Sequence, residues 1–356
     1  MKSKVYFISV SDRDKQDAVK AKFAKLLDDS NILDFIEAGN KAAIKIHFGE
    51  EENTGFVKPE YVRLVCDRIV KKNASPILTD TNTLYCGKRV FSASHLELAH
   101  QHGFTEDIVG APVIIAGDFD KDLDADVHIN QKFTKVAKIA PLFKRMDAII
   151  GVAHFKGHLM TGFGGALKNL GMGCAAREGK LYQHCGIAPF VRLNACVGCS
   201  QCKAVCPAEA IFIENKKAQI KISECIGCAS CISACKHHAI DIHWEKGAGN
   251  MQEKMVEYTK AALMGKEKKK AFINFAIKIT KECDCLAKDD PKIMPDVGIF
   301  ASRDPVSIDK ASVDMVNKLS GRDIFREIHP ARDWQRQLDY AGEIGIGSLD
   351  YELIKL

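Results

Sequence analysis

Cys196, Cys199, Cys202 and Cys206 fall into the spacing C-x2-C-x2-C-x3-C, with Pro207 behind the last, and Cys225, Cys228, Cys231 and Cys235 repeat it 29 residues later. Small thiols at this density cannot fill a packed core, so the stretch must fold around whatever the sulfurs hold. Thiolates two residues apart on a tight turn grip adjacent corners of an iron–sulfur cube, and the cysteine closing the motif points to the neighbouring cube. The spacing therefore places Cys196, Cys199, Cys202 and Cys235 on one 4Fe-4S cluster and Cys225, Cys228, Cys231 and Cys206 on a second. Gly198 and Gly227 sit inside the loops, where a missing side chain lets backbone amides approach the sulfides. Zinc is the competing ligand, because C-x2-C pairs hold it too; it takes four ligands per ion and commonly spreads two pairs across a longer insert. The second motif ends Cys235-Lys236 without the proline, which leaves the ligand in place.

Composition sets the surroundings. Disulfide scaffolds are small and secreted; 14 cysteines in a 356-residue chain expected to be cytoplasmic point instead to metal. The first apolar run, Val5 to Val10, is too short for a signal-peptide core or a membrane span, so a cytoplasmic location without membrane insertion is expected. The densest basic run, Lys266 to Lys270, reads as a solvated helix end, and no nucleic-acid motif accompanies it. A Rossmann glycine fingerprint and a phosphate-binding loop are both missing, which leaves nicotinamide and nucleoside triphosphates without support.

Upstream of the cysteines, apolar runs alternate with helical patterns: VYFISV before a helix over 13–28, AAIKIHF before 59–72, PILTD before 92–103, then PVIIAG and DAIIGVA. Such alternation predicts βαβ units, hence an α/β fold with a mostly parallel sheet and helices on both faces. Downstream the pattern resumes with a helix near 250–264, strands near 271–279 and at VGIFAS, and a helix capped by Asp304 with Pro305 in its first turn. The organisation expected is an α/β host split into residues 1–189 and 246–356. Between them, residues 190–245 would be an inserted bacterial-ferredoxin-like α+β module whose strands AIFI and AIDI close a pseudo-symmetric unit. A hinge between two α/β lobes is the alternative.

Ligands of open α/β sheets sit beyond the carboxyl ends of the strands. The loops there, HFGE, TDTNTLYCGKR and HFKGHLMTGFGGALKNLGMGC, put forward His47, Asp80, His154, Lys156, His158, Lys168 and Asn169. The glycine-rich turn before Lys168 is expected to open a helix and bind an anion at its amino terminus. Plainer readings stand beside these: His47 as the partner of a neighbouring loop, Asp80 as a helix cap, His154 as a structural residue, the glycines as close packing.

Of the six other cysteines, Cys66 lies in the helical stretch YVRLVCDRIV as a small buried hydrophobe, and Cys86, Cys174 and Cys185 lie in loops. Cys283 and Cys285 form KECDC at a strand end, where alternate residues share a face and both thiols meet one environment. That predicts a third metal or redox site, with Cys174 as partner and Cys185 or a histidine as fourth ligand. A redox-active dithiol and two unliganded thiols are the rivals. The acidic neighbours Glu282, Asp284, Asp289 and Asp290 should raise a thiol pKa, which favours metal over dithiol.

The combination of KIHFGE, TDTNTLY, GFGGALKNLGMGC, the tandem cysteine motifs, KECDCLAKDDP and DVGIFASRDPVSIDKASVDMVN resembles the domain-of-unknown-function 362 family in its ferredoxin-containing branch, over nearly the whole chain. The resemblance implies an anaerobic or low-oxygen iron–sulfur protein with a redox role, and no established activity. Locally, His158 to Gly173 is similar to the segment of lactate racemase and its nickel-pincer relatives in which a histidine precedes, by ten positions, the lysine carrying the cofactor. That likeness would make Lys168 an anchoring amine of lowered pKa and His158 a general base or metal-facing imidazole. The rest of the racemase site has no counterpart here.

These readings converge on an iron–sulfur electron-transfer protein, expected to be an oxidoreductase. Electrons from a soluble partner protein would pass through two 4Fe-4S clusters to a cleft bordered by His47, Asp80, His158, Lys168, Cys283 and Cys285, where a small-molecule substrate reacts. The alternatives are an electron carrier or assembly factor without its own substrate, and a nickel-pincer-like isomerase.

Overall fold

The strand Ala148–His154 is buried along its whole length, and a strand with no polar face must be covered on both sides. In the computed structural model, which describes residues 2–85, 87–117, 126–184, 188–243 and 250–356, it lies inside an eight-stranded sheet. The order across that sheet is Tyr351–Lys355, Ser3–Ser9, Gly298–Ser302, Lys270–Ala276, Ala148–His154, Lys41–Lys45, Ser75–Thr81 and Val113–Ala116. Its pairings are parallel except for the two made by Gly298–Ser302. The mostly parallel α/β sheet expected from the alternating pattern is therefore present.

Side chains along these strands divide at the two-residue period of a pleated chain. Ala43, Ile149, Phe272 and Phe300 enter one core, and Ile44, Ile150, Ile273 and Ile299 enter the other. The helices Gln16–Ser30 and Pro59–Lys71 close the second core with Val19, Phe23, Leu26, Val62, Val65 and Ile69, spaced three or four apart. The helices Met251–Leu263 and Pro305–Ser320 close the first through Met255, Val256, Val306, Val313 and Val316. Each such side chain taken fully from water contributes about 1.5–3 kcal/mol. Asp304 caps the latter helix as expected, accepting from the amides of Val306 and Ser307. Strands from both sides of the cysteine motifs belong to this one sheet, since Lys270–Ala276 pairs with Ala148–His154.

The run Lys266 to Lys270 is not a solvated helix end. The helix stops at Leu263, Lys266 is buried beneath the turn, and Lys270 opens the next strand.

Between Phe190 and Ile242 the chain repeats itself in three dimensions. Left-handed backbone recurs at Gly198 and Gly227, at Ser200 and Ala229, and at Glu209 and His238, each pair 29 residues apart. The strand after each motif pairs with the strand that precedes the other: Ile211–Glu214 with Lys217–Ile220, and Ile240–Asp241 with Phe190–Val191. Glycine is needed at 198, where φ is +69° and a Cβ would stand 2.4 Å from the Lys216 carbonyl.

Candidate functional site

Four adjacent parallel strands, Lys270–Ala276, Ala148–His154, Lys41–Lys45 and Ser75–Thr81, end on the same edge of the sheet. The loops leaving them enclose a cleft of about 430 Å³ that His47, Asp80, His158, Lys168, Cys283 and Cys285 all line. Lys45, Arg89, Lys156, Lys180 and His184 line it too.

Asp80 is the hub of one wall. Its carboxylate lies 3.0 Å from Lys45 Nζ and 2.8 Å from Arg89 Nη2, and all three are buried. Burial alone would raise this carboxyl, but the two cations outweigh it and hold it well below the usual carboxylate range. Asp80 is thus an ion-pair centre rather than a helix cap. Arg89 also stands 2.7 Å from His47 Nε2, while the Gly49 amide donates to Nδ1. Burial, then Arg89, pushes His47 far below its ordinary value, so the ring is neutral.

On the opposite wall, Cys283 and Cys285 face the cleft while Asp284 between them turns away, 2.9 Å from His154 Nδ1 and 3.3 Å from Lys156 Nζ. Asp289 and Asp290 are spent on Lys278 and Lys288. Asp284 still raises Cys283, as its sequence position suggests, but other groups outweigh it. A hydrogen bond with Cys285 and the nearby Lys168 and Lys156 charges hold Cys283 well below the ordinary thiol value against the effect of burial, and Cys285 is raised in return. Lys168 Nζ donates to Cys283 Sγ at 3.3 Å. Burial pulls this ammonium down, but the two thiols outweigh it and the net shift is upward, opposite to the lowered pKa of an anchoring amine.

Ligand atoms of His158, Cys283 and Cys285 lie within 4.8 Å of one another, a candidate metal-binding group among the described residues. His158 Nδ1 lies 3.2 Å from each of the amides of Met160 and Thr161, which leaves Nε2 for a ligand. Cys174, the partner expected for the C-x-C pair, is not brought into this group. It sits fully buried in the core, its amide bonded to the Leu170 carbonyl. Cys86 and Cys185 lie outside the described residues.

The glycine-rich turn does open a helix, Ala166–Gly171, but the anion at its amino terminus is the protein's own. Asp309 accepts from the Ala166 and Leu167 amides at 2.7 and 2.9 Å, and from Asn274 Nδ2 at 2.7 Å. Gly165 is required because a Cβ there would lie 2.2 Å from the same carboxylate.

The eight motif cysteines surround two cavities. One is lined by Cys196, Cys199, Cys202 and Cys235, the other by Cys225, Cys228, Cys231 and Cys206. The amides of Ala218 and Ala239 donate to the sulfurs of Cys196 and Cys235 at 3.3 and 3.2 Å. Burial, reinforced by Cys228 and Cys225, pushes the Cys231 thiol up to about 12. Leu84 and Leu181, from segments that also line the cleft, pack in the core of this cysteine unit.

The residues missed by sequence had uneven signals. Lys45 interrupts the apolar run AAIKIHF, and Asp309 lies on the buried side of an amphipathic helix; a charge at a core position was the clue. Nothing local marks Lys180 or Arg89.

The profile of the family described as domain of unknown function (DUF362) matches residues 42–314. The chain belongs to that family. No curated protein matches it. Among solved structures, the lactate racemase apoprotein of Thermoanaerobacterium thermosaccharolyticum is 11% identical with a TM-score of 0.39, covering 76% of this chain and 50% of that one. A protein from Thermotoga maritima is 11% identical with a TM-score of 0.36, covering 92% of this chain and 59% of that one. The chain thus spans between half and three-fifths of these structures, and at such scores neither bears on its chemistry. Among the described residues no helix is long and apolar enough to cross a membrane.

Proposed function

We propose that the chain is an iron–sulfur electron-transfer protein, an oxidoreductase that delivers electrons to a reaction in the cleft. Cys196, Cys199, Cys202 and Cys235 would hold one 4Fe-4S cluster and Cys225, Cys228, Cys231 and Cys206 the other; such clusters, when bound, accept and pass single electrons. The donor sets fit, because each cavity takes three sulfurs from one motif and the fourth from its twin. The backbone amides bonded to Cys196 and Cys235 are the kind of contact that tunes a cluster potential. On this reading residues 190–245 form a ferredoxin-like module between host segments 1–189 and 246–356, supplied by a soluble cytoplasmic partner.

The observation that carries the proposal is the position of Leu84 and Leu181. Leu84 lines the cleft and Leu181 is flanked by cleft residues Lys180 and His184, yet both pack into the cysteine unit, so donor and acceptor sites share a wall. Cys283, Cys285 and His158 would hold a third metal at the point of reaction, with an open position for substrate as catalytic metal sites have. Coordination through Nε2 would require the neutral ring to carry its proton on Nδ1, where Thr161 Oγ1 at 2.9 Å could accept it.

The test is to reduce anaerobically prepared protein and follow its visible absorbance as small molecules are added. Reoxidation by one compound, lost in Cys283→Ser, is expected. A reduced spectrum that only a protein acceptor discharges would make the chain a carrier, and a covalent adduct on Lys168 with turnover independent of electrons would make it an isomerase.

A further inference from the structure

Two ammonium groups of the cleft, Lys168 and Lys180, have no carboxylate at ion-pair distance among the described residues. Lys45 is committed to Asp80, Asn169 and the Ile46 carbonyl, Lys156 to Asp284 and the His154 carbonyl, and Arg89 to Asp80 and His47. Lys180, by contrast, is buried against two neutral acceptors, Thr81 Oγ1 and the Asn82 carbonyl, with no carboxylate at ion-pair distance among the described residues. Lys168 has one partner, the sulfur of Cys283. His184, which also lines the cleft, is pushed down to about 3 by burial and then by both of these lysines, so no competing charge stands beside them. A buried ammonium without a counter-charge is costly, and a ligand that brings one relieves the cost. Apolar side chains line the cleft as well: Leu84, Leu159, Met160 and Leu286, of which Leu159 and Leu286 remain 57% and 41% exposed.

We infer that the cleft takes a small organic carboxylate with an apolar body, its charged end on the Lys168, His184 and Lys180 wall and its body along Leu84, Leu159 and Leu286. Phosphate recognition ordinarily uses a cradle of backbone amides at a helix start. The helix that opens here has those amides on Asp309, while lysine points and apolar walls suit a carboxylate. The inference rests on the cleft being the site of chemistry, as proposed above, and adds the class of molecule that enters it.

Calorimetric titration of the anaerobic, metal-loaded protein below about pH 7, where Lys180 keeps its proton, with benzoate, hexanoate, their neutral amides and inorganic phosphate tests it without any electron donor. At least one carboxylate is expected to bind about tenfold or more tighter than its amide and tighter than phosphate, the difference of one charge-assisted contact. Lys180→Met should erase that preference, and Leu159→Asp, a change at the exposed rim, should weaken the carboxylate while leaving the fold intact. Equal binding of acid and amide, tighter binding of phosphate, or no binding of either carboxylate at millimolar concentration overturns it. Carboxylate binding in protein whose reduced spectrum no small molecule discharges would remove the redox proposal and leave this inference standing.

Discussion

Lys168 Nζ stands 3.3 Å from Cys283 Sγ, so the lysine that follows the glycine-rich turn and the first thiol of the C-x-C pair act as one charged unit. Lys168→Met removes that bond, which at about 1.5–3 kcal/mol for a charged partner corresponds to about 1–2 pH units. The alkylation midpoint of Cys283 in metal-free protein should rise by that amount, read by mass-resolved iodoacetamide labelling across pH. An unmoved midpoint would show that Cys285 and Lys156 set the thiol without Lys168.

Lys180 gives stability a pH dependence. Burial pushes its ammonium down to about 7 from 10.5. Between those values the unfolded chain holds a proton that the native chain does not, so stability rises as pH climbs through this window and the gain is absent below it. At about 1.4 kcal/mol per unit the rise is at most about 5 kcal/mol. Urea midpoints at neutral and alkaline pH should diverge in the native protein and converge in Lys180→Met.

Asp309→Ala leaves the Ala166 and Leu167 amides buried without an acceptor, and the expected loss is about 2–4 kcal/mol. Gly165→Ala should fail comparably, because its Cβ collides with the same carboxylate. Chemical denaturation measures both. A neutral Gly165→Ala would mean that the turn relaxes.

How much of this was legible in the sequence depended on whether a signal was local. Buried strands such as AIIGVAH declare themselves as unbroken apolar runs and helices such as VSIDKASVDMV by period, and the cysteine spacing marked both cavities. Which face Asp284 turns to, and which group fills the helix terminus at Ala166, depend on residues 130 and 143 positions away. The same limit misled the expectation for Cys174, whose sequence neighbours line the cleft while its own side chain points into the core.

Exchange of ligands between the motifs predicts a crossed phenotype. Cys206 lies in the first motif but lines the cavity of Cys225, Cys228 and Cys231. Cys206→Ser should therefore perturb the spectrum of the second cluster and spare the first, and Cys235→Ser should do the reverse. Electron paramagnetic resonance of the reduced variants separates the two, and loss confined to the mutated motif's own cluster would refute the exchange.

Iron and acid-labile sulfide in protein isolated without oxygen measure the central claim most directly. The account predicts brown protein with about eight of each per chain in its two cubanes, and a paramagnetic signal on reduction. Colourless protein carrying zinc at the same cysteines, with no sulfide, would contradict it.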